Sequence, residues 1–355
     1  MTTALPLPDF AHERVEVSTG RRSGLFIAVA LHSSVLGSAL GGARLWTYPH
    51  WSDALGDALR LSAAMTLKNA AAGLDAGGGK SVIGLPEGTV LDAERRRAAF
   101  LDLGDAVESL GGLYRTAEDV GSTTEDMLVV SERTAHVVGL PDAVGGSGEP
   151  AGPTSLGVYA SLVATLERVV GSDDVRGRRV TIAGLGQVGG RLAERLAAEG
   201  TVLTVTDVNP AKRALAAQLG AAWVEPGDAH LVPADVFVPA GIGGVLTDDV
   251  IDALDARAVC GPANNPLADR SGADRLAARG VLYAPDFVVN GGGVIYLDLT
   301  AKQLGSRESI MARVAGIGDT LRRVFDEAES RSVTPLAAAE GLAAERLRTG
   351  AGALV

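Results

Sequence analysis

The apolar run over residues 24–32 is short, unbroken and bounded by glycine and serine, a pattern that predicts a buried strand. Residues 53–72 and 93–110 carry Ala/Leu-rich helical patterning, and residues 80–85 between them read as another strand. The first part of the chain is therefore expected to be mixed α and β. A Gly/Pro-rich stretch, residues 145–153, interrupts the periodicity and predicts a hinge or crossing between domains. Beyond it, strand-like runs at 180–183, 202–206, 236–238, 258–260 and 281–283 alternate with helix-length segments, which implies a parallel, doubly wound sheet. Residues 309–350 are helical in pattern apart from a break at 332–335, and are expected to fold back onto the first domain. No internal repeat or low-complexity tail is visible.

Length and composition sharpen this picture. At 355 residues the chain exceeds a typical single core and points to about two domains. With 46% apolar and 21% charged residues, it has none of the signature of disorder. A net charge of -11 without a dense Lys/Arg stripe argues against nucleic acid as a partner, because phosphate needs neutralising charge. The single cysteine, Cys260, excludes an intrachain disulfide and fits a reducing compartment, so a cytoplasmic location is expected. Residues 1–14 have the form of neither a signal nor a transit peptide, and no run approaches the roughly 18 apolar residues of a membrane span. A soluble protein without membrane contact is expected. His12, His32, His50, His136 and His230 are scattered without metal-ligand spacing, so no metal site is indicated.

The clearest local chemistry lies at Val180-Thr181-Ile182-Ala183-Gly184-Leu185-Gly186-Gln187-Val188-Gly189-Gly190, where a predicted strand runs into G-x-G-x-x-G and then an Ala/Leu-rich helix. Gly184 permits the tight turn, Gly186 lets the backbone approach a pyrophosphate, and Gly189 lets the helix pack closely on the strand. Gln187 and Val188 would open the helix at whose N-terminus the anion sits. Asp207 ends the next predicted strand, where a carboxylate accepts hydrogen bonds from the ribose hydroxyls and repels a 2'-phosphate; this favours NAD over NADP, against nearby Lys212 and Arg213.

Two lysines have unusual surroundings. Lys68 lies near the end of an apolar helix, and Lys80 opens an apolar strand behind Gly77-Gly78-Gly79, read as a loop. Asp119 falls in a polar interruption, Tyr114-Arg115-Thr116-Ala117-Glu118-Asp119-Val120-Gly121, after a helix. Taken singly, each is compatible with a snorkelling surface lysine or a turn residue.

Together with Leu40-Gly41-Gly42-Ala43-Arg44, Ala263-Asn264-Asn265 and Tyr283-Ala284-Pro285-Asp286-Phe287-Val288-Val289-Asn290, these segments resemble the glutamate/leucine/phenylalanine/valine dehydrogenase family from about residue 24 onward. The resemblance implies two α/β domains: a mixed substrate-binding and catalytic domain at 1–140 and a Rossmann-type NAD-binding domain at 141–325. A C-terminal helical segment at 326–355 would return to the first domain, with a cleft that closes to exclude water during hydride transfer. It further implies a homo-oligomer. Lys68 would bind the substrate carboxylate, Lys80 would be the base that activates water, and Asp119 would handle protons at the amino group, with Lys68 supplying the charge that lowers the pKa of Lys80. Asn265 and Asn264 would touch substrate and nicotinamide, while Thr154, Ala240 and Asn290 would help hold the cofactor.

By the same resemblance Leu40, Gly41, Met65, Ala117, Val294 and Leu297 border the substrate, and a side-chain pocket without a basic residue argues against glutamate. The family's usual Gly-Thr-Arg is Gly42-Ala43-Arg44 here, Pro262 enters a Gly-Ala-Ala-Asn-Asn motif, and Gly291 replaces an alanine. The expected reaction is NAD-dependent deamination of an apolar L-amino acid to its 2-oxo acid and ammonia, and the reverse. Reductive amination or deaminating cyclisation of an uncommon amino acid, or a non-catalytic NAD-binding regulator, are the alternatives.

Overall fold

The computed structural model describes residues 10–350; most of the N-terminal stretch read for targeting signals, and residues 351–355 of the expected C-terminal segment, lie outside them. The chain divides into two compact units, one running through Gly148 and resuming at Arg346, the other spanning Glu149–Glu345.

In the first unit, β1 (Arg14–Thr19), β2 (Phe26–Ser33), β3 (Ala39–Tyr48), β4 (Gly77–Pro86) and β5 (Tyr114–Glu118) form a five-stranded sheet in the order β1-β2-β4-β3-β5. β1 and β4 run antiparallel to β2, whereas β3 runs parallel to β4 and β5. Helices α1 (Trp51–Ala71), α2 (Ala93–Glu108) and α3 (Thr124–Ser131) complete it. Alternation along β2 divides the core. Ile27, Val29 and Leu31 pack with Phe100, Leu103 and Val107 of α2 and with Met127 of α3, while Ala28 and Ala30 pack with Ala54 and Ala58 of α1.

Small residues on the second face let α1 lie close to the sheet. A Cβ built on Gly78 would stand 2.1–2.5 Å from atoms of Thr66 on α1, and one on Gly79 would stand 2.6 Å from the Tyr114 ring. The triple glycine is therefore not the predicted loop; it is the first part of β4, squeezed from both faces. Residues 114–118 are likewise a strand rather than a polar interruption. Two further strands went unpredicted: β1 is an exposed edge without clean alternation, and the glycines of β3 hide its pattern.

In the second unit, β6 (Arg179–Ala183), β7 (Val202–Thr206), β8 (Ala222–Trp223), β9 (Ala234–Pro239), β10 (Ala256–Val259) and β11 (Leu282–Tyr283) form an all-parallel sheet in the order β11-β10-β9-β6-β7-β8. This is the Rossmann order, and it reverses direction between β6 and β9, the switch point at which such sheets bind ligands. Helix α4 (Ala151–Val170) precedes the sheet and α5 (Gln187–Ala198) follows β6. Helix Ile317–Arg331 lies against α4, where a Cβ on Gly318 would stand 2.9 Å from the Ala160 carbonyl oxygen. It ends at Ser332, whose left-handed φ of 54° caps the helix.

The chain rejoins the first unit at Arg346 rather than from 326 onward. The Arg346 side chain is almost fully buried and donates to the carbonyls of Ala70 (3.3 Å) and Leu74 (2.7 Å) and to the Asp75 carboxylate (2.9 Å). These brace the turn that follows α1, where the Ala70 carbonyl also accepts the Gly73 N–H at 3.1 Å. No helix among the described residues is long and apolar enough to cross a membrane. Arg346→Ala strips two buried carbonyls of a charged donor and is expected to lower the stability of the first unit by about 2–3 kcal/mol in urea unfolding; an unchanged midpoint would contradict this role.

Candidate active site

In the first unit, Lys80, Asp119 and Arg44 gather on the α1 face of the sheet. Val82 of β4 packs against α1, so Lys80, two residues earlier, projects to the same face. Its side chain is 4% exposed, and its Nζ lies 2.9 Å from Asp119 Oδ1. Asp119 follows β5 immediately, one residue beyond the pair Ala43 and Glu118 of β3 and β5. A Cβ on Gly42 would stand 2.7 Å from Asp119 Cβ, so this glycine makes room for the carboxylate. The Asp119 backbone N–H donates to Ser122 Oγ, and that hydroxyl donates to the Ala43 carbonyl (2.7 Å), fixing the turn.

Asp119 is bound on its other side as well. Its Oδ2 accepts from Arg44 Nε at 3.0 Å, and Arg44 Nη1 reaches Asp57 Oδ2 on α1 at 2.9 Å. Tyr48 donates its hydroxyl to the same Asp57 oxygen at 2.7 Å. Burial pushes the Lys80 ammonium below the usual lysine range; the Arg44 guanidinium adds to this, against the opposing pull of Asp119. Burial works to raise the Asp119 carboxyl, but Lys80 and Arg44 together hold it below the usual carboxylate range. Arg44 is thus a cation that acts on Lys80 and that the sequence had not singled out.

Leu40, fully buried on β3, and Ala117, buried on β5, are apolar as expected, and Met65 and Lys68 stand one turn apart on α1. Gly41 sits under Met65: a Cβ there would lie 3.3 Å from Met65 Cγ and 1.8 Å from the Gly79 carbonyl oxygen. The next residue on α1, Asn69, is fully buried and donates to the carbonyls of Leu40 (3.2 Å) and Gly77 (2.6 Å), fastening the helix to β3 and β4. Sequence reasoning assigned no role to Arg44, Tyr48, Asp57 or Asn69, although Arg44 closes the motif that carries Gly41 and Gly42.

In the second unit, the glycine loop has the geometry its spacing predicts. Gly184 adopts a φ of 118°, and a Cβ there would strike the Ala240 carbonyl at 2.7 Å. Gly189 lies against the Gly184 carbonyl oxygen (2.1 Å from a Cβ) and Ala240 Cβ (3.0 Å). Ala240 is thereby brought beside the loop. Gly186 has open space where a side chain would be, and it caps α5, which begins with Gln187 and Val188, without a side-chain hydrogen bond. Free N–H groups beside open space suit a phosphate. Asp207 reaches over this loop, accepting the Leu185 N–H at 2.6 Å and the Asn209 N–H at 2.8 Å. Arg213 pairs with Glu225 and lies over the Trp223 ring, which occupies its charge.

Asn290 donates to the Pro262 carbonyl (3.2 Å) and to Asn264 Oδ1 (2.9 Å), while its own Oδ1 is buried without a partner among the described residues. An orphaned acceptor of this kind fits an amide N–H of a bound cofactor. Asn265 takes a left-handed φ of 49°, tolerable for asparagine, and its N–H donates to Asp286 Oδ2 at 2.7 Å. Thr154, in the first turn of α4, donates to the Pro150 carbonyl; Gly292 and Gly293 press helix Gly292–Ala301, which carries buried Val294 and Leu297, against that turn. Lys68, Lys80, Asp119, Leu40, Gly41, Met65 and Ala117 therefore belong to the first unit, and the remaining predicted residues to the second.

Comparison with known proteins agrees with this architecture. A family model described as Glu/Leu/Phe/Val dehydrogenase, dimerisation domain, matches residues 12–136, and one described as Glutamate/Leucine/Phenylalanine/Valine dehydrogenase matches 213–351. The leucine dehydrogenase of Thermoactinomyces intermedius is 39% identical over 95% of this chain and 91% of its own length. The phenylalanine dehydrogenase of Bacillus thermotolerans is 37% identical over 95% of this chain and 88% of its own. The crystal structure of L-tryptophan dehydrogenase from Nostoc punctiforme superposes with a TM-score of 0.81 at 34% identity, covering 96% of each chain. With its fold, its glycine loop and near full-length relatives in agreement, the chain belongs to the glutamate/leucine/phenylalanine/valine dehydrogenase family of amino-acid dehydrogenases.

Proposed function

We propose that this protein catalyses the NAD-dependent oxidative deamination of an apolar L-amino acid, phenylalanine or a branched-chain residue, to its 2-oxo acid and ammonia, and the reverse reductive amination. The observation that carries the reading is the buried Lys80–Asp119 pair, placed on the same sheet as the apolar Leu40 and Ala117. A second carboxylate on the substrate would meet no cation at Leu40, Met65, Ala117, Val294 or Leu297, which disfavours glutamate.

NAD, when bound, supplies the acceptor for the hydride leaving the substrate α-carbon. Residues 184–189 and Asp207 would hold its pyrophosphate and ribose, with Asn290, Thr154, Ala240 and Asn264 nearer the nicotinamide. Loss of hydride leaves an iminium, to which water must add. Lys80, its ammonium destabilised by burial, takes a proton from that water as it attacks the α-carbon. The resulting carbinolamine expels ammonia once its nitrogen is protonated, and Asp119, bonded to Lys80, moves protons at that nitrogen. Lys68 would pair with the substrate carboxylate, and Asn265 would bind its polar end. A homo-oligomer in the cytoplasm is the expected working form.

Three outcomes test this. Lys80→Ala is expected to lower kcat by about 10²–10⁴-fold while sparing NADH affinity measured by fluorescence titration; a mutant of wild-type activity would remove Lys80 from the mechanism. Because the base must be neutral, kcat/KM for deamination should rise with pH through the Lys80 pKa. Its acid limb is expected below the ordinary lysine value of about 10.4, and a limb at or above that value would contradict the role given to burial. Asp207→Ala should raise the KM for NAD and relax discrimination against NADP, whereas unchanged cofactor preference would disprove the ribose assignment.

A further inference from the structure

Arg44 lies on β3, two residues beyond Gly42 and on the same face as Lys80's partner. Its guanidinium spans two carboxylates, with Nε to Asp119 Oδ2 at 3.0 Å and Nη1 to Asp57 Oδ2 at 2.9 Å. Asp57 is itself fixed from three directions, by Arg44, by the Tyr48 hydroxyl at 2.7 Å and by Arg60 Nη2 at 2.6 Å. The Arg44 and Asp57 side chains are only 18% and 13% exposed, so solvent screens the chain of charges weakly. Neither residue touches the reacting atoms in the mechanism above, yet one of them holds the oxygen of Asp119 that Lys80 does not.

We propose that Arg44, anchored by Asp57 and Tyr48, is a positioning residue that fixes the Asp119 carboxylate and sets the proton affinity of Lys80. The inference rests on the assignment of Lys80 as the base. A planar guanidinium suits this task, since it offers two N–H donors in a fixed fork where a lysine offers a mobile point charge. With Oδ2 taken by Arg44, Asp119 is held with Oδ1 toward Lys80 and shares its charge between two cations. Asp119 after β5, Arg44 on β3 and Asp57 on α1 act electrostatically on Lys80. Tyr48 and Arg60 are bonded to Asp57, Tyr114 on the opposite face of the sheet interacts with Asp119, and α1 and β2 also carry Lys68 and His32. Within this set Arg44 disfavours the Lys80 ammonium, and Asp57 favours it.

The two signs give the test. Removing the Arg44 charge with Arg44→Met leaves Asp119 to act on Lys80 alone, so Lys80 should hold its proton to higher pH. The acid limb of kcat/KM is expected to move up by about one pH unit, which is roughly a tenfold loss below the limb, recovered at alkaline pH. Asp57→Asn should move the limb in the opposite direction, and Arg44→Lys should leave it nearer to wild type than Arg44→Met while lowering kcat through looser positioning. The titration of Lys80 is also read without turnover, by competitive acetic anhydride labelling across pH with peptide mass spectrometry, and should shift in the same directions. A limb and a labelling curve that stay in place in Arg44→Met, or activity lost uniformly across pH in all three variants, would overturn the inference. If wild type turned over no amino acid, the activity reading would fail while the labelling experiment still decided the link between Arg44 and Lys80.

Discussion

A lysine held almost dry, 2.9 Å from a carboxylate, is the constraint around which the first unit is arranged. Stability alone does not account for such a pair. Desolvating two ions costs several kcal/mol each, and replacement by well-packed apolar side chains is often neutral or stabilising by about 1–4 kcal/mol. What the burial does provide is a lysine whose charged form is disfavoured, next to a carboxylate kept ionised by a second cation. In the proposed reaction the lysine would take a proton and its neighbour would pass one on, as adding water to an iminium and releasing ammonia require.

Glycine makes that arrangement sterically possible in both units. Gly78 and Gly79 let α1 and Tyr114 close on β4 from opposite sides, and Gly42 leaves the space that Asp119 fills. In the second unit the same device shapes the loop between β6 and α5: Gly184 and Gly189 permit close packing, while Gly186 leaves its surroundings open. Backbone brought this near to backbone leaves little freedom for the strands that carry the functional side chains, and rigid strands hold reacting groups more accurately than loops.

The glycine loop between β6 and α5 was legible from sequence because strand, glycines, helix and acid follow one another within a single βαβ unit, so local spacing encodes the geometry. The long apolar run of β2 and the helices α1 and α2 were legible for a similar reason, each having a pattern longer than its boundary uncertainty. β3 and the start of β4 were not, since glycine carries no hydrophobic signal and reads as a loop, although here it marks close approach within a sheet. Asp119 was singled out by its motif, but its partners Arg44 and Lys80 lie on β3 and β4, a grouping created only by sheet order and parallel register. For that reason Arg44 and Asp57 escaped notice.

The central claim is that this site oxidises an amino acid with an apolar side chain. Its most direct test is NADH formation at alkaline pH by the purified protein with NAD and, in turn, phenylalanine, tryptophan, leucine, valine and glutamate. The account predicts turnover with at least one of the apolar substrates and little or none with glutamate. Turnover of glutamate in preference to the others, or no turnover across the whole set, would contradict it.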